Sequence, residues 1–139
     1  MSAHAGDRLP AAVRAQFGAR PMAGEPAQAV ILGSVDEDGS VRFAVLSPAE
    51  ITVIDDKRLR VAISTQSTSR SNLNRRRVVS FWTVCEGAAY TIKGGATLVA
   101  STASDGRSLF EIEIGSVWRD HRVDAPMTSG PMYRAPQED

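Results

Sequence analysis

Apolar and polar residues alternate over several short segments of this chain, and this pattern restricts its fold more than any other feature of the sequence. In RLRVAIS, residues 58–64, the side chains of Leu59, Val61 and Ile63 alternate with arginine and alanine. A period of two places one set of side chains on each face of a β-strand. The segment RVVSFWTV, residues 77–84, is almost continuously apolar, which predicts a strand that is covered on both faces.

Two further strands and a hairpin follow from the same pattern. The runs AVILGSV and SVRFAVLS flank the acidic sequence DEDG, in which Asp38-Gly39 suits a tight reversal. The segment AAYTIKGGATLVA predicts a long strand that is broken or bent at Gly94-Gly95, where a bulge would let it curl around a barrel corner. The last alternating segment is SLFEIEIGSVWRD. Its pattern predicts that one face carries Phe110, Ile112, Ile114 and Trp118.

Six strands with short connections and little helix favour a mainly β fold. We predict an antiparallel split β-barrel of about six strands with short helices. The barrel should span residues 28–120, after an N-terminal helix and linker at residues 1–27. Residues 121–139 have three prolines and no period. They are expected to form either a disordered tail or an arm laid across a partner.

A short amphipathic helix is predicted near the N-terminus. Leu9, Val13 and Phe17 fall on one stripe, Asp7 can cap the helix, and Gly18 can end it.

The overall composition narrows the functional classes. A chain of 139 residues fits one domain. Its 16 basic and 16 acidic residues cancel, so charge does not indicate a nucleic-acid or anionic-membrane partner. Cys85 is the only cysteine, which excludes an internal disulfide and indicates a small buried residue. No signal peptide or membrane-spanning run is evident, so we expect a cytoplasmic protein.

The stretch STQSTSRSNLNRRR, residues 64–77, carries the clearest chemical signal, with six hydroxyl groups and four arginines. It lies between two predicted strands and has room for a helix from about Thr68 to Arg76, capped by Ser67 or Thr68 and anchored by Leu73. The N-terminus of a helix offers unpaired backbone N–H groups and a partial positive charge. Together with the guanidinium of Arg70, these groups predict a phosphate site.

Two other interpretations of this stretch remain open. Serine and threonine are common at turns and helix caps, and residues 75–77 can form a solvated helix end that suits the helix dipole. Nucleic-acid binding is the weaker alternative, because the arginine run is short and no row of aromatic residues accompanies it.

The sequence contains no catalytic or metal-binding motif. His4 and His121 lie in terminal segments without metal-ligand spacing, and no nucleophile elbow or P-loop occurs. Trp82 and Trp118 are, by residue type, more often core residues than cofactor contacts. We therefore predict no catalytic residue and no metal ligand.

Residues 28–118 resemble the pyridoxamine 5′-phosphate oxidase-like family of flavin-binding split barrels. The resemblance is carried by the order of three segments: the hairpin, then KRLRVAISTQSTSRSNLNRRRVVSFWTV, then AAYTIKGGATLVA. It implies a homodimer with two FMN sites at the subunit interface. The implied cofactor-binding residues are Ala44, Val45, Leu46, Ser47, Ser64, Thr65, Ser67, Thr68, Ser69, Arg70 and Trp82. Asn72 and Leu73 match an "NL" pair that supports the helix.

Some residues depart from the family pattern. The oxidase proper has an Arg-Lys pair after the serine of this turn, whereas this chain has Thr68 and Ser69 there. The oxidase also has an arginine at the position that Ala44 occupies in this chain. Arg42 or Arg70 would have to supply the missing charge. The Arg-x-His signature of the oxidase's substrate-binding segment is also absent, so oxidation of pyridoxamine phosphate is not expected.

Two functional hypotheses follow from the resemblance. The first is an FMN-dependent oxidoreductase with an unassigned small-molecule substrate or electron donor. The second is a non-catalytic module that binds a flavin or another small ligand. The cofactor could also be a deazaflavin or haem, as in relatives of this fold.

Overall fold

The alternating segments pair into one antiparallel sheet of eight strands in the computed structural model, which describes residues 2–102 and 105–137. The sheet curls into a half-barrel. Its strands are β1 (Ser2–His4), β3 (Val30–Val35), β4 (Val41–Leu46), β5 (Ile51–Val53), β6 (Arg58–Ser64), β7 (Val78–Cys85), β8 (Ala88–Thr102) and β9 (Arg107–Asp120). The order is β4-β3-β7-β8-β9-β6-β5, with β1 added beside β9.

The split β-barrel and its six strands are confirmed. The hairpin is β3–β4, in which Val30 pairs with Leu46 and Val35 with Val41. The core lies inside the curled sheet and contains Leu32, Leu59, Phe81 and other fully buried apolar side chains. The sheet also contains two short strands beyond the six predicted ones: β1, which pairs with β9, and β5, which pairs with β6.

The predicted bulge lies at Gly94 of β8, as expected, but the extra residue is on the paired strand β9. The register shifts between Lys93, which faces Ser116, and Gly94, which faces Ile114. Gly115 is therefore the unpaired residue. This insertion reverses the alternation in β9, so that Val117 is buried and Trp118 is exposed. The prediction that Trp118 shares a face with Phe110, Ile112 and Ile114 is wrong.

The N-terminal helix, α1, spans Ala11–Gln16. Its predicted stripe of Leu9, Val13 and Phe17 is buried in the core, and Gly18 follows with a positive φ of 83°. Asp7 does not cap the helix, which has no side-chain cap. The Asp7 carboxylate instead bonds to Lys57 Nζ at 3.2 Å, so the prediction of an Asp7 cap is wrong.

The second helix, α2, spans Thr68–Arg76 and confirms the predicted bounds. Ser67 caps it by accepting a hydrogen bond from the backbone N–H of Arg70 at 3.1 Å. Leu73 is fully buried and anchors the helix to the barrel. The helix thus begins directly after β6, with its N-terminus beside the split in the sheet.

The C-terminal arm packs on its own chain. Strand β10 (Met132–Arg134) pairs with β2 (Pro26–Gln28) in a separate two-stranded ribbon. Ala135 is buried, and its N–H donates to the backbone oxygen of Glu25 at 2.9 Å. The last two residues of this predicted arm or tail lie outside the described residues.

Neither helix found in residues 2–102 and 105–137 has the length and apolar character needed to cross a membrane.

Candidate functional site

A groove of about 360 Å³ lies in the split of the barrel, between the end of β4 and the start of α2. We call it the split groove. Its walls combine residues from β4, from the β6–α2 junction and from the start of β9, which are distant in sequence. The lining residues are Ala44, Val45, Leu46, Glu50, Ile63, Ser64, Ser67, Ser69, Asp105, Gly106 and Arg107.

Six of the predicted cofactor-binding residues therefore line one groove. They are Ala44, Val45, Leu46, Ser64, Ser67 and Ser69. Ser47 lies one residue further along, where it caps a short 3₁₀ helix, Pro48–Glu50, and lines a neighbouring cavity. Thr68 lines a different cavity, on the hairpin side of α2.

Two backbone donors lie at the N-terminus of α2, one on Ser69, which lines the groove, and one on Thr68, which lines the cavity on the hairpin side. The cap residue Ser67 directs its own N–H and its hydroxyl to the carbonyl oxygen of Ser64. Its hydroxyl oxygen also accepts from Arg70 N–H. The helix provides no acceptor for the intervening N–H groups of Thr68 and Ser69. These two donors and the positive end of the helix dipole suit an anion.

Arg70 is directed away from the groove and into the protein. Its Nε donates to the hydroxyl of Ser108 at 3.3 Å, and Ser108 is fully buried. The same hydroxyl lies 3.2 Å from Thr65 Oγ1 and 3.0 Å from Ser101 Oγ. Arg70 and Thr65 thus tie the start of α2 to β8 and β9, and neither lines the groove.

Arg107 is a cation that lines the groove, and no local sequence signal indicates it. Its backbone pairs with Ser64 across β6 and β9. Its Nη1 lies 3.1 Å from Glu50 Oε2, so a carboxylate already pairs with this cation at the groove. Sequence reasoning missed Arg107 because only the strand register brings it beside Ser64.

Arg42, the other arginine considered for charge compensation, belongs to a separate cluster. Its Nε donates to Asp36 at 2.8 Å, and Asn72 Nδ2 donates to the same oxygen at 2.8 Å. Asn72 also donates to buried Ser34. The hydrogen bonds from Arg42 and then from Asn72 hold the pKa of Asp36 below its ordinary value of 3.8. This cluster fastens α2 to the β3–β4 hairpin.

Trp82 lies on the outer face of the sheet and does not line the split groove. Its register partners are Ile31 and Thr91, and with Phe43 they surround an open, apolar depression. On the adjoining β4, the side chains of Val41, Phe43 and Val45 are 60%, 72% and 67% exposed. The prediction that Trp82 contacts the cofactor would require a second subunit to bring the two surfaces together.

The residues of the split groove fit the phosphate and ribityl part of a flavin nucleotide. The hydroxyl groups of Ser64 and Ser69 and the amides at the start of α2 are small donors that suit a phosphate, and Arg107 provides a cation. Two carboxylates that line the groove, Glu50 and Asp105, would repel an anion, and the charge of Glu50 is paired with Arg107. Over the residues described, no group of three or more His, Cys, Asp or Glu side chains could hold a metal ion.

Cys85 has no features of a reactive thiol. It is partly buried, and burial, with a smaller contribution from Glu86, raises its pKa above the ordinary value. A raised pKa lowers the thiolate fraction at neutral pH, which leaves Cys85 as a structural residue.

No protein-family model matches the sequence, and no curated protein matches it either. Similar folds do occur among solved structures. A variant of HupZ from Group A Streptococcus superposes with a TM-score of 0.61 at 14% identity, covering 80% of this chain and 98% of that protein.

Two further solved structures are similar to this chain. An FMN-binding protein from Syntrophomonas wolfei has a TM-score of 0.56 at 13% identity, covering 67% of this chain and 77% of that protein. A candidate pyridoxamine 5′-phosphate oxidase from Lactobacillus delbrueckii has a TM-score of 0.51 at 17% identity, covering 65% and 83%. These superpositions show a common fold.

Proposed function

We propose, from the split-barrel fold that this chain shares with pyridoxamine 5′-phosphate oxidase-like proteins, that it binds FMN with the phosphate in the split groove. The observation that carries the proposal is the arrangement at the start of α2. The helix offers no acceptor for the backbone N–H groups of Thr68 and Ser69. These residues follow Ser67 directly, and Ser64, Ser67 and Ser69 line the groove together with the end of β4.

Each part of the groove has a distinct role in this proposal. The amides at the start of α2 and the nearby hydroxyls bind the phosphate. Arg107 contributes charge once its pairing with Glu50 loosens. Backbone groups of residues 44–46 orient the rest of the cofactor along β4. Bound FMN would supply hydride or electron transfer, which makes an oxidoreductase the first functional candidate.

A non-catalytic binding module is the second candidate, and one observation favours it. Both arginines nearest the phosphate position are already bonded, Arg70 to Ser108 and Arg107 to Glu50. A site with so little uncommitted positive charge suits a weakly held flavin or a less anionic ligand. A deazaflavin or haem remains an alternative cofactor from the fold alone.

We also propose a homodimer that uses the outer face of β4 and β7. The three exposed side chains Val41, Phe43 and Val45 form an apolar stripe with Trp82 behind it. Apolar stripes of this kind are usual at interfaces between protein subunits. A dimer would bring Trp82 of one subunit near the groove of the other. Light scattering should give twice the chain mass of 14.9 kDa.

Titration of the protein with FMN tests the proposed function. Binding should quench flavin fluorescence with a stoichiometry of one FMN per chain and a micromolar or lower Kd. Absence of quenching would contradict the proposal. Addition of NADH or NADPH to the loaded protein then separates the candidates, because steady oxidation of the nucleotide supports an oxidoreductase and its absence supports a binding module.

A further inference from the structure

A second cavity, of about 560 Å³, adjoins the split groove. It lies between residues 133–136 of the C-terminal arm, the loop around Arg20, and the end of β4. We call it the arm cavity. It shares Val45, Leu46 and Glu50 with the split groove. A ligand in the arm cavity would therefore lie directly beside whatever occupies the groove.

The arm cavity is preformed by backbone pairing. The β2–β10 ribbon holds Tyr133 opposite Ala27, and Gly24 N–H donates to the carbonyl oxygen of Ala135 at 2.9 Å. The Tyr133 hydroxyl donates to Ser47 Oγ at 2.7 Å, which links the arm to the end of β4. A cleft of this size, bordered by paired backbone segments, falls within the range of small-molecule sites.

The charges of the arm cavity favour an anion. Arg20 and Arg134 both line it and are exposed. Neither forms an ion pair with a carboxylate among residues 2–102 and 105–137, although Arg134 Nη1 donates to the carbonyl oxygen of Gly24 at 2.7 Å. The lining carboxylate, Glu50, is paired with Arg107. Two guanidinium groups therefore contribute positive charge that no lining carboxylate offsets.

The remaining lining is largely apolar. Pro21, Leu46, Ala135 and Pro136 contribute aliphatic surface, and Tyr133 adds an aromatic ring with a hydroxyl that is already bonded to Ser47. Apolar walls with a few placed polar groups select a ligand with a hydrophobic body and one charged end.

We propose that the arm cavity binds a small organic acid with an apolar body, with its carboxylate near Arg20 and Arg134 and its body toward Val45 and Leu46. Its role as a substrate site beside a flavin rests on the function proposed above. The cavity's capacity to bind an acid depends only on its own residues, so the two proposals can fail separately.

The test uses the isotope-labelled full chain, titrated with sodium benzoate and followed by the NMR shifts of backbone amides. Benzamide has the same shape without the charge. Benzoate should shift the amides of Ala23, Tyr133 and Ala135 in a saturable way and bind about tenfold more tightly than benzamide. Equal binding of the two probes, or shifts that lie elsewhere, would overturn the proposal.

Substitution of Arg20 and Arg134 then tests whether these two side chains bind the carboxylate of benzoate. R20A and R134A should each weaken benzoate binding about two- to fivefold, because both side chains are exposed and partly screened. R75A, which removes an exposed arginine on α2, is the matched control and should leave affinity unchanged. An equal loss in R75A would attribute binding to net charge and contradict the site.

A titration of the FMN-loaded protein with benzoate tests whether the arm cavity lies beside the bound flavin. Benzoate should shift the flavin absorption bands, and an unchanged spectrum at benzoate saturation would refute the placement beside the cofactor. If FMN fails to bind while benzoate binds as expected, the proposed flavin function fails and the acid site stands.

Discussion

Arg107 Nη1 lies 3.1 Å from Glu50 Oε2 at the split groove, an ion pair between residues 57 positions apart. Glu50 also accepts from Ser47 N–H through its other oxygen, at 3.2 Å. The carboxylate thus supports the turn after β4 while it competes with a phosphate for Arg107.

We expect Glu50→Gln to tighten FMN binding. The amide keeps an acceptor for Ser47 N–H, removes a negative charge from the groove, and releases Arg107. The gain should be about three- to tenfold in Kd, corresponding to about 1 kcal/mol for a partly exposed charge. Fluorescence titration measures it, with Glu37→Gln in the exposed hairpin turn as the control. Unchanged or weaker binding in Glu50→Gln would contradict this role.

Two substitutions at Ser67 distinguish its capping role from phosphate binding. Ser67→Ala should lower the free energy of unfolding by about 1 kcal/mol, because the N-cap acceptor is lost. Ser67→Asp keeps a good cap and should leave stability nearly unchanged, while its negative charge repels phosphate and weakens FMN binding at least tenfold. Denaturant unfolding and FMN titration measure the two effects. Full FMN affinity in a folded Ser67→Asp protein would show that the phosphate lies elsewhere.

The bulge in β9 predicts different costs for adjacent glycines. A Cβ added to Gly94 would overlap the backbone oxygen of Glu113 and approach Ile112 Cγ2 to 2.9 Å, whereas the nearest atom to a Cβ on Gly95 is 3.8 Å away. We expect Gly94→Ala to destabilise the protein by about 2 kcal/mol and Gly95→Ala by less than about 0.5 kcal/mol. Urea unfolding of both variants checks this, and equal costs would refute the proposed overlap.

The Asp36 cluster predicts a pH-dependent stability. Because the pKa of Asp36 is lowered in the folded state, its contribution is present above the ordinary value of 3.8 and is lost as pH falls through the folded pKa. Asp36→Asn should therefore be less stable than the parent at pH 7, and the gap should narrow below pH 3.8. Thermal unfolding across this range measures the gap. A gap that is constant with pH would exclude ionised Asp36 as its source.

Local signals sufficed for the strands and for α2. The period of two identified β6, and a serine before a hydroxyl-rich turn identified the cap at Ser67, because both depend on neighbouring residues alone. The same reasoning failed for Trp118, because the alternation in β9 is reversed by Gly115, whose extra position becomes visible only against the register of β8.

The groove was only partly predictable for a related reason. The position of Arg70 in the helix predicts a phosphate contact, yet its Nε donates a hydrogen bond to the buried hydroxyl of Ser108. Arg107 reaches the groove because β9 pairs with β6, a contact between distant segments. Neither of these contacts can be predicted from the spacing of residues along the chain. The pairing of the C-terminal arm with β2 is also a contact between distant segments.

The affinity of FMN relative to that of riboflavin tests whether the split groove binds a phosphate, since the two ligands differ only in that group. A phosphate held by the amides of Thr68 and Ser69 and by the nearby serines should make FMN bind about 100-fold more tightly. That ratio should collapse toward one in Ser67→Asp. Equal affinities of FMN and riboflavin for the unmodified protein would contradict a phosphate site in the split groove.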